Sequence, residues 1–475
     1  MTDFTKLTVK ELVEGIKTQK FSSEEVVSFY ISQCEKKQDL NAVLEIFYDA
    51  IEKAKETDSK IAQGQTLGKL AGVPVIIKDN ILNKGKKMTC ASKFMQDFVS
   101  PYSATIVKKL EAEGAIIIAR ANMDEFAMGG SCENSAYGPC KNAVDPTCVS
   151  GGSSGGSGGS SGGSAVAVAA DLAPIAIGTD TGGSVRQPSS FNGVVGIKPT
   201  YGAISRFGLV AFASSTDQAG PITKTVEDNE YVFDIMAGKD ENDQTSIELK
   251  RAETKPTYKL GLCKQLADSI KKSASAPYFE KEIERLKQKG FEFVEVDIPH
   301  IESSLPCYYV LTPAEATSNL ARFDGVKYTT RASDAKTLEE VYIKSRSEGF
   351  GKEVKRRIIL GNFVLSSGYF DAYYNKARKL QTWLGQEFED AFADCDAIIT
   401  PTTPYTAFKI GEKANDPISM YLEDLFTVPA SIAGVPAISI PYATAENGLP
   451  LGLQVIGRKH SEHLLYDVAK KIKED

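Results

Sequence analysis

Between Ser150 and Ser184 the chain reads SGGSSGGSGGSSGGSAVAVAADLAPIAIGTDTGGS, a tract of fourteen Gly and Ser residues (Gly151 to Ser164) followed by a second Gly-Gly-Ser that ends at Ser184. A serine where a strand gives way to a Gly-rich turn is a typical place for a hydroxyl nucleophile, and Ser184 is the candidate. Such a hydroxyl needs a group to take its proton, most often a histidine held by a carboxylate. The three histidines, His300, His460 and His463, do not suit that role, since one follows a proline and the other two flank Ser461 and Glu462 near the C-terminus. The other base able to work near neutral pH is a lysine whose ammonium form is disfavoured by burial. Lys78, closing the apolar run of AGVPVIIKDN, is the best-placed one, although a lysine at a strand end is more often a solvated terminus.

These groups must be positioned by the elements around them. Gly/Ser tracts are usually linkers, yet this one runs directly into an Ala/Val-rich helix from Ala165, with Ser164 as its N-cap, and the helix should stop near Pro174. Pro174 to Ile177 then reads as a strand that empties into the Gly178 to Ser184 turn. Upstream, Val73 to Ile77 reads as a buried strand ending at Lys78, followed by a helix from about Ala104 to Glu113 and a strand from Ala115 to Ala119. Asn122 to Gly130 leads into a loop that forms a pocket wall. The first 60 residues read as mostly helical, with capping boxes at Thr8/Glu11 and Ser22/Glu25. Residues 240–300 read as a peripheral helical insertion with strand signals at Tyr258 to Leu262 and Phe291 to Val296. Helical patterning returns from Glu315 to Ala377, and β-like pieces follow Ala397.

Composition narrows the function classes. With 55 Lys+Arg against 62 Asp+Glu the net charge is −7, which gives no general attraction to nucleic acid or an anionic membrane. The N-terminal residues lack an apolar signal region and no apolar run is long enough to span a bilayer, so a cytoplasmic location is expected. The eight cysteines contain no C-x-x-C and no Cys/His spacing for zinc, so neither a metal nor a disulfide framework is expected. The tract lacks G-x-x-x-x-G-K-[ST] and G-x-G-x-x-G, which argues against nucleotide binding there.

AGVPVIIKDN, the Gly/Ser tract and the run from Gly178 to Thr223 (GTDTGGSVRQPSSFNGVVGIKPTYGAISRFGLVAFASSTDQAGPIT) resemble the signature of the amidase signature family of Ser-cisSer-Lys hydrolases. Further stretches resemble its branch of glutaminase subunits in tRNA-dependent amidotransferases: NMDEFAMG from Asn122, EATSNLARFDGVKY from Glu315, SRSEGFGKEVKRRIILG from Ser345, SSGYFDAYY from Ser366 and MYLEDLFTVPA from Met420. The resemblance covers nearly the whole chain. It implies an α/β fold, a single large α/β/α domain over residues 1–475 with a central mixed sheet and a helical N-terminal segment. It makes Ser184 the acyl-forming nucleophile, Lys78 the base, and a serine in a cis peptide the proton relay between them. Thr181, Gly182 and Gly183 would supply oxyanion-hole N–H groups. Arg357 would hold the α-carboxylate of glutamine and Asp424 its α-amine, with Tyr308 nearby and Gly129 in the pocket wall. It also implies the amidotransferase B and C subunits as partners, with ATP and Mg²⁺ used on a partner, tRNA met only through the B subunit, and no cofactor, metal or membrane bound by this chain. A stand-alone amidase for another small amide, or a catalytically silent scaffold protein, would share the fold.

One departure bears on the site. The family carries GGSSGGS once, whereas here the seven residues from Gly151 recur from Gly158. Distance to the nucleophile selects Ser160 as relay, while distance from the lysine fits Ser153. The helix and strand after the tract cannot absorb an extra repeat, whereas the loop before it can at little cost, so Ser160 is expected and Ser153 is the alternative.

Overall fold

The computed structural model of the chain describes residues 2–152, 159–249, 256–412 and 423–474. Among them one sheet of eleven strands runs through the molecule in the order β1-β3-β2-β4-β6-β5-β10-β11-β9-β7-β8. The strands are β1 (Val43–Ile46), β2 (Pro74–Lys78), β3 (Ile116–Ala121), β4 (Ile175–Asp180), β5 (Val195–Lys198), β6 (Gln218–Thr223), β7 (Lys259–Cys263), β8 (Glu292–Val296), β9 (Ala397–Pro401), β10 (Ala437–Thr444) and β11 (Pro450–Gly457). β2 lies parallel to both β3 and β4, and β7 to both β8 and β9, while the remaining pairs are antiparallel, so the sheet is mixed. Every residue of β2, β3, β4, β5, β6 and β9 is buried. Strands covered on both faces need apolar residues at successive positions, which is why PVIIK, IIIARA and AIITP read as continuous runs and not as alternations.

The N-terminal segment is helical where its caps say it should be. Thr8 and Ser22 each accept from, and are capped by, the glutamate three residues on, opening helices Val9–Lys17 and Ser23–Lys36. A third helix, Ala50–Ala62, follows, but β1 interrupts the series by pairing with β3. Four half-buried residues carry too short a pattern for a strand to be read without its neighbour. The segment 240–300 also differs from its reading as an insertion, because β7 and β8 extend the main sheet at its far edge. β8 pairs with β7, and β7 joins the sheet through β9, more than a hundred residues downstream, which no local pattern records. No helix among the described residues is long and apolar enough to cross a membrane.

The connection between the tract and the sheet positions the site. The helix after the tract is Gly162–Ala169 and packs on β4. A helix that leads directly into a strand of an α/β layer runs antiparallel to it, so its N-terminal end stands beside the strand's C-terminal edge. The helix starts earlier than a Ser164 cap allows. Ser164 is inside its first turn and donates to the carbonyl of Ile177 at 3.1 Å, and the residue at the N-cap is Ser161.

The capping boxes give a direct check on the helical segment. Ser22→Ala removes the hydroxyl that accepts from Glu25 N–H at 3.0 Å, and urea unfolding should show a loss of about 1 kcal/mol.

Candidate active site

Three elements end at one edge of the sheet. β2 ends in Lys78, the adjacent parallel β4 ends in Asp180, and the tract delivers Ser160 and Ser161 to the N-terminal end of the Gly162–Ala169 helix. Crevices at the carboxyl ends of parallel strands are where α/β folds place their chemistry. Lys78 is fully buried, not a solvated strand end. Its Nζ stands 2.7 Å from Ser160 Oγ, 2.8 Å from Ser161 Oγ, 2.9 Å from Thr179 Oγ1 and 3.2 Å from the Thr179 carbonyl. All four neighbours are uncharged. Burial therefore dominates and brings the Lys78 pKa down to about 7, so that near neutral pH a large share of the amine has a lone pair to offer. Asp124, Asp180 and Asp217 oppose that shift from further away.

Ser184 follows β4 by one turn and is 1% exposed. Its carbonyl accepts the N–H of Ser161 at 3.1 Å, which ties the backbone of this candidate nucleophile to the residue next to Ser160. Lys78, Ser160 and Ser184 thus converge at one edge. Ser153 lies outside the described residues. Among the described residues no peptide bond is cis. The cis bond attached to the relay serine by family resemblance is therefore absent at Ser160, whose Oγ reaches Lys78 from a trans backbone, the form favoured by about 2.5–4 kcal/mol.

The Thr181–Ser184 turn is shaped from below by Asp180. Its carboxylate accepts the N–H of Gly183 at 2.8 Å and of Val185 at 3.1 Å, and is gripped twice by Arg186, at 2.9 and 3.0 Å. Burial alone would raise the Asp180 pKa, but Arg186 more than offsets it and holds the group below its usual value. One expectation is corrected here: the Gly183 N–H is committed to Asp180 and does not face a substrate oxygen. Gly183 has φ at +135°, a backbone conformation that favours glycine. Thr181 is fixed by its side chain, which donates to Asp217 at 2.7 Å. The Tyr308 ring lies against Gly182, where a Cβ would stand 2.8 Å from Tyr308 Oη.

The other substrate candidates arrive from distant segments. Asp424 is fully buried and accepts from Gln187 Nε2 at 3.0 Å and from Tyr309 Oη at 2.7 Å. Thr427, three residues on, donates to the carbonyl of Gly182 at 2.8 Å, linking this loop to the turn. Arg357 sits in the run Lys355-Arg356-Arg357, which reads as a solvated face, yet it is only 3% exposed. Helical period explains the split: Val354, Arg357, Gly361 and Val364 form the buried stripe of the Lys352–Leu365 helix. Arg357 Nε donates to Glu353 at 2.7 Å, and the guanidinium lies 5.4 Å from the ring centroid of Phe212. Gly129, with φ at +155°, faces Asp124 and Asn134 so closely that a Cβ would meet the Asp124 carboxylate at 2.5 Å. Sequence reasoning missed Ser161, Thr179, Gln187, Tyr309 and Glu353. Ser161 and Tyr309 carried a signal, as hydroxyls adjoining the named Ser160 and Tyr308, and Thr179 a weaker one, two residues before Thr181. The described residues hold no cluster of His, Cys, Asp and Glu suited to a metal, and all eight cysteines are buried free thiols.

A buried lysine among hydroxyls, facing a Gly-rich serine turn at the C-terminal edge of a mixed sheet, defines the amidase class of serine hydrolases. The amidase family model matches residues 25–158 and 157–466, and the chain belongs to that family as an amidase-signature enzyme. Its relatives include the A subunit of the glutamyl-tRNA(Gln) amidotransferase of Pelagibacter ubique, 48% identical over 483 residues, covering 100% of this chain and 97% of that protein. The corresponding A subunit of Koribacter versatilis is 48% identical over 458 residues, covering 94% and 93%. Among solved structures, the glutamyl-tRNA(Gln) amidotransferase A subunit from Thermotoga maritima matches with a TM-score of 0.79 and 38% identity, over 100% of this chain and 96% of that one. The native peptide amidase of Stenotrophomonas maltophilia matches with a TM-score of 0.84 and 27% identity, over 99% and 97%.

Arg186 also donates to the Thr427 carbonyl at 2.8 Å and to Gln454 at 2.7 Å. Arg186→Leu leaves Asp180 buried without its counter-charge, and thermal or urea unfolding should register a loss of about 3–5 kcal/mol.

Proposed function

We propose that the chain is the glutaminase component of a tRNA-dependent amidotransferase, cleaving glutamine and passing ammonia on for the conversion of Glu-tRNA(Gln) to Gln-tRNA(Gln). The observation that carries this reading is the buried amine of Lys78, 2.7 Å from Ser160 Oγ at the edge that Ser184 shares. Ser184 Oγ attacks the side-chain amide carbon of glutamine while its proton passes through Ser160 Oγ to the neutral Lys78 Nζ. The same proton returns to the departing nitrogen, ammonia leaves, and water then cleaves the ester to glutamate. With Gly183 committed to Asp180, the amides of Thr181 and Gly182 are the turn's donors for the developing oxyanion; one such donor is typically worth about 3 kcal/mol. Arg357 takes the α-carboxylate, since a planar guanidinium grips a carboxylate at two points. Asp424 takes the α-ammonium, with Tyr308 and Gly129 closing the pocket.

The full-length similarity to amidotransferase A subunits supports a role inside a multi-subunit, cytoplasmic complex. We assign the activation of Glu-tRNA(Gln), with ATP and Mg²⁺, to the B subunit. The C subunit completes the heterotrimer, and this chain itself needs neither cofactor nor metal.

Ser184→Ala should lower glutamine hydrolysis by about a thousandfold or more, and Ser160→Ala should do nearly the same while Ser153→Ala leaves it intact. The reverse pattern for the two serines would move the relay to the other repeat. Because Lys78 must be neutral to accept the proton, kcat/KM for glutamine should rise with pH through about 7 and then level off. A profile flat from pH 6 to pH 9 would contradict lysine as the base.

A further inference from the structure

The segment following β3 contains two successive left-handed residues that are not glycine, Phe126 and Ala127, with φ of 51° and 60°. Such backbone is costly and persists where its surroundings over-determine it. Glu125, immediately before, is 4% exposed and reaches across to the N-terminus of the Lys352–Leu365 helix. There its Oε2 accepts the N–H of Gly351, the N-cap, at 2.8 Å, while Oε1 takes the hydroxyl of the buried Ser92. Gly351 has no side chain with which to cap the helix, and a Cβ there would stand 2.2 Å from Glu125 Oε2. The rings follow the same path: Phe126 meets Phe350 edge-on with centroids 5.4 Å apart, and Phe94 meets the same ring at 4.8 Å.

A carboxyl oxygen at this place satisfies one of the N–H groups that a helix start leaves without a partner. Burial raises the Glu125 pKa to about 7, so the acceptor oxygen, more than a full negative charge, is what it gives the helix end. The helix so seated is the one that carries Glu353 and Arg357, and a rigid helix transmits any shift of its first turn to both. Lys78 has its own set of contacts, donating to Ser160, Ser161 and Thr179, none of which is on this helix. We propose that Glu125 is a positioning residue for substrate selection, seating the Lys352–Leu365 helix so that Arg357 meets the amino-acid carboxylate at a fixed distance from Ser184. The proposal rests on the reading of Arg357 as the carboxylate anchor.

The test uses the full chain in its assembled complex and two substrates: glutamine, which has an α-carboxylate, and p-nitrophenyl acetate, which has none. The ester rate is taken as the part abolished by Ser184→Ala. Glu125→Ala should raise KM for glutamine by about 10-fold or more with a much smaller change in kcat, and leave the ester rate unchanged. Glu125→Gln keeps an oxygen for the Gly351 N–H and should recover most of the loss. Arg357→Ala should raise glutamine KM in the same way. Equal losses on both substrates in Glu125→Ala would make Glu125 a general structural residue and overturn the proposal. So would an unchanged glutamine KM in Glu125→Ala beside a raised one in Arg357→Ala. If Arg357→Ala leaves glutamine KM unchanged, the anchor reading fails and the proposal with it.

Discussion

The site depends on a cation being taken out of water and denied a counter-ion. Lys78 is sealed at the end of β2 with hydroxyls and one carbonyl in hydrogen-bonding reach and no carboxylate among them. Desolvation of an ammonium is expensive, and hydrogen bonds to neutral oxygens repay only part of it. The nearby acids are all occupied elsewhere. Asp180 is gripped by Arg186, Asp124 accepts from the amides of Cys132 and Asn134, and Asp217 accepts from Thr181, Phe212 and Ala213. Burial raises Asp124 and Asp217 each to about 6, so both are still mostly ionised at neutral pH, and what spares the lysine is that their oxygens are bonded elsewhere and not to Nζ. Were any of them turned toward Nζ, the amine would hold its proton and the hydroxyls around it would have no base.

The same carboxylates that spare the lysine build the pocket. Asp180 pulls the Gly183 amide under the turn, and through Arg186 it joins β4 to Thr427, Ser431 and Gln454 on the opposite side of the crevice. Gln187, one residue after Arg186, reaches Asp424. Asp217 fixes Thr181 with one oxygen, and with the other it holds the loop whose Phe212 ring lies beside Arg357. Segments far apart in the chain are thus tied to one short turn by buried, hydrogen-bonded carboxylates, one of which, Asp180, is paired with Arg186. Removing one partner of such a pair costs more than the pair contributes, which makes the arrangement rigid even where it adds little net stability.

Much of this is readable along the chain wherever the cause is local. The capping boxes at Thr8 and Ser22 open helices because their partners are three residues away. The runs before Lys78 and Gly178 become buried strands because unbroken apolar sequence has no solvated face to offer. The helix after the tract begins three residues before the start that a Ser164 cap implies, because Ser164 finds an acceptor in Ile177, on the strand that follows, in place of capping its own helix. β1 and the sheet-extending role of β7 and β8 are invisible in the sequence for a similar reason: pairing with β3 and β9 is settled by neighbours remote in the chain.

Residue type and order point to lysine as the base for a hydroxyl nucleophile that lacks a suitable histidine, and it is resemblance to the family that joins Lys78, the Gly/Ser tract and Ser184 into one candidate device. Side-chain chemistry and short-range pattern carry that information. Which hydroxyls surround the amine, which amide of the turn is turned away, and why Arg357 and not Arg356 faces inward were decided only by the folded chain. These depend on burial and on which oxygens stand within about 3 Å, and both quantities exist only once segments from opposite ends of the sequence have been packed against each other.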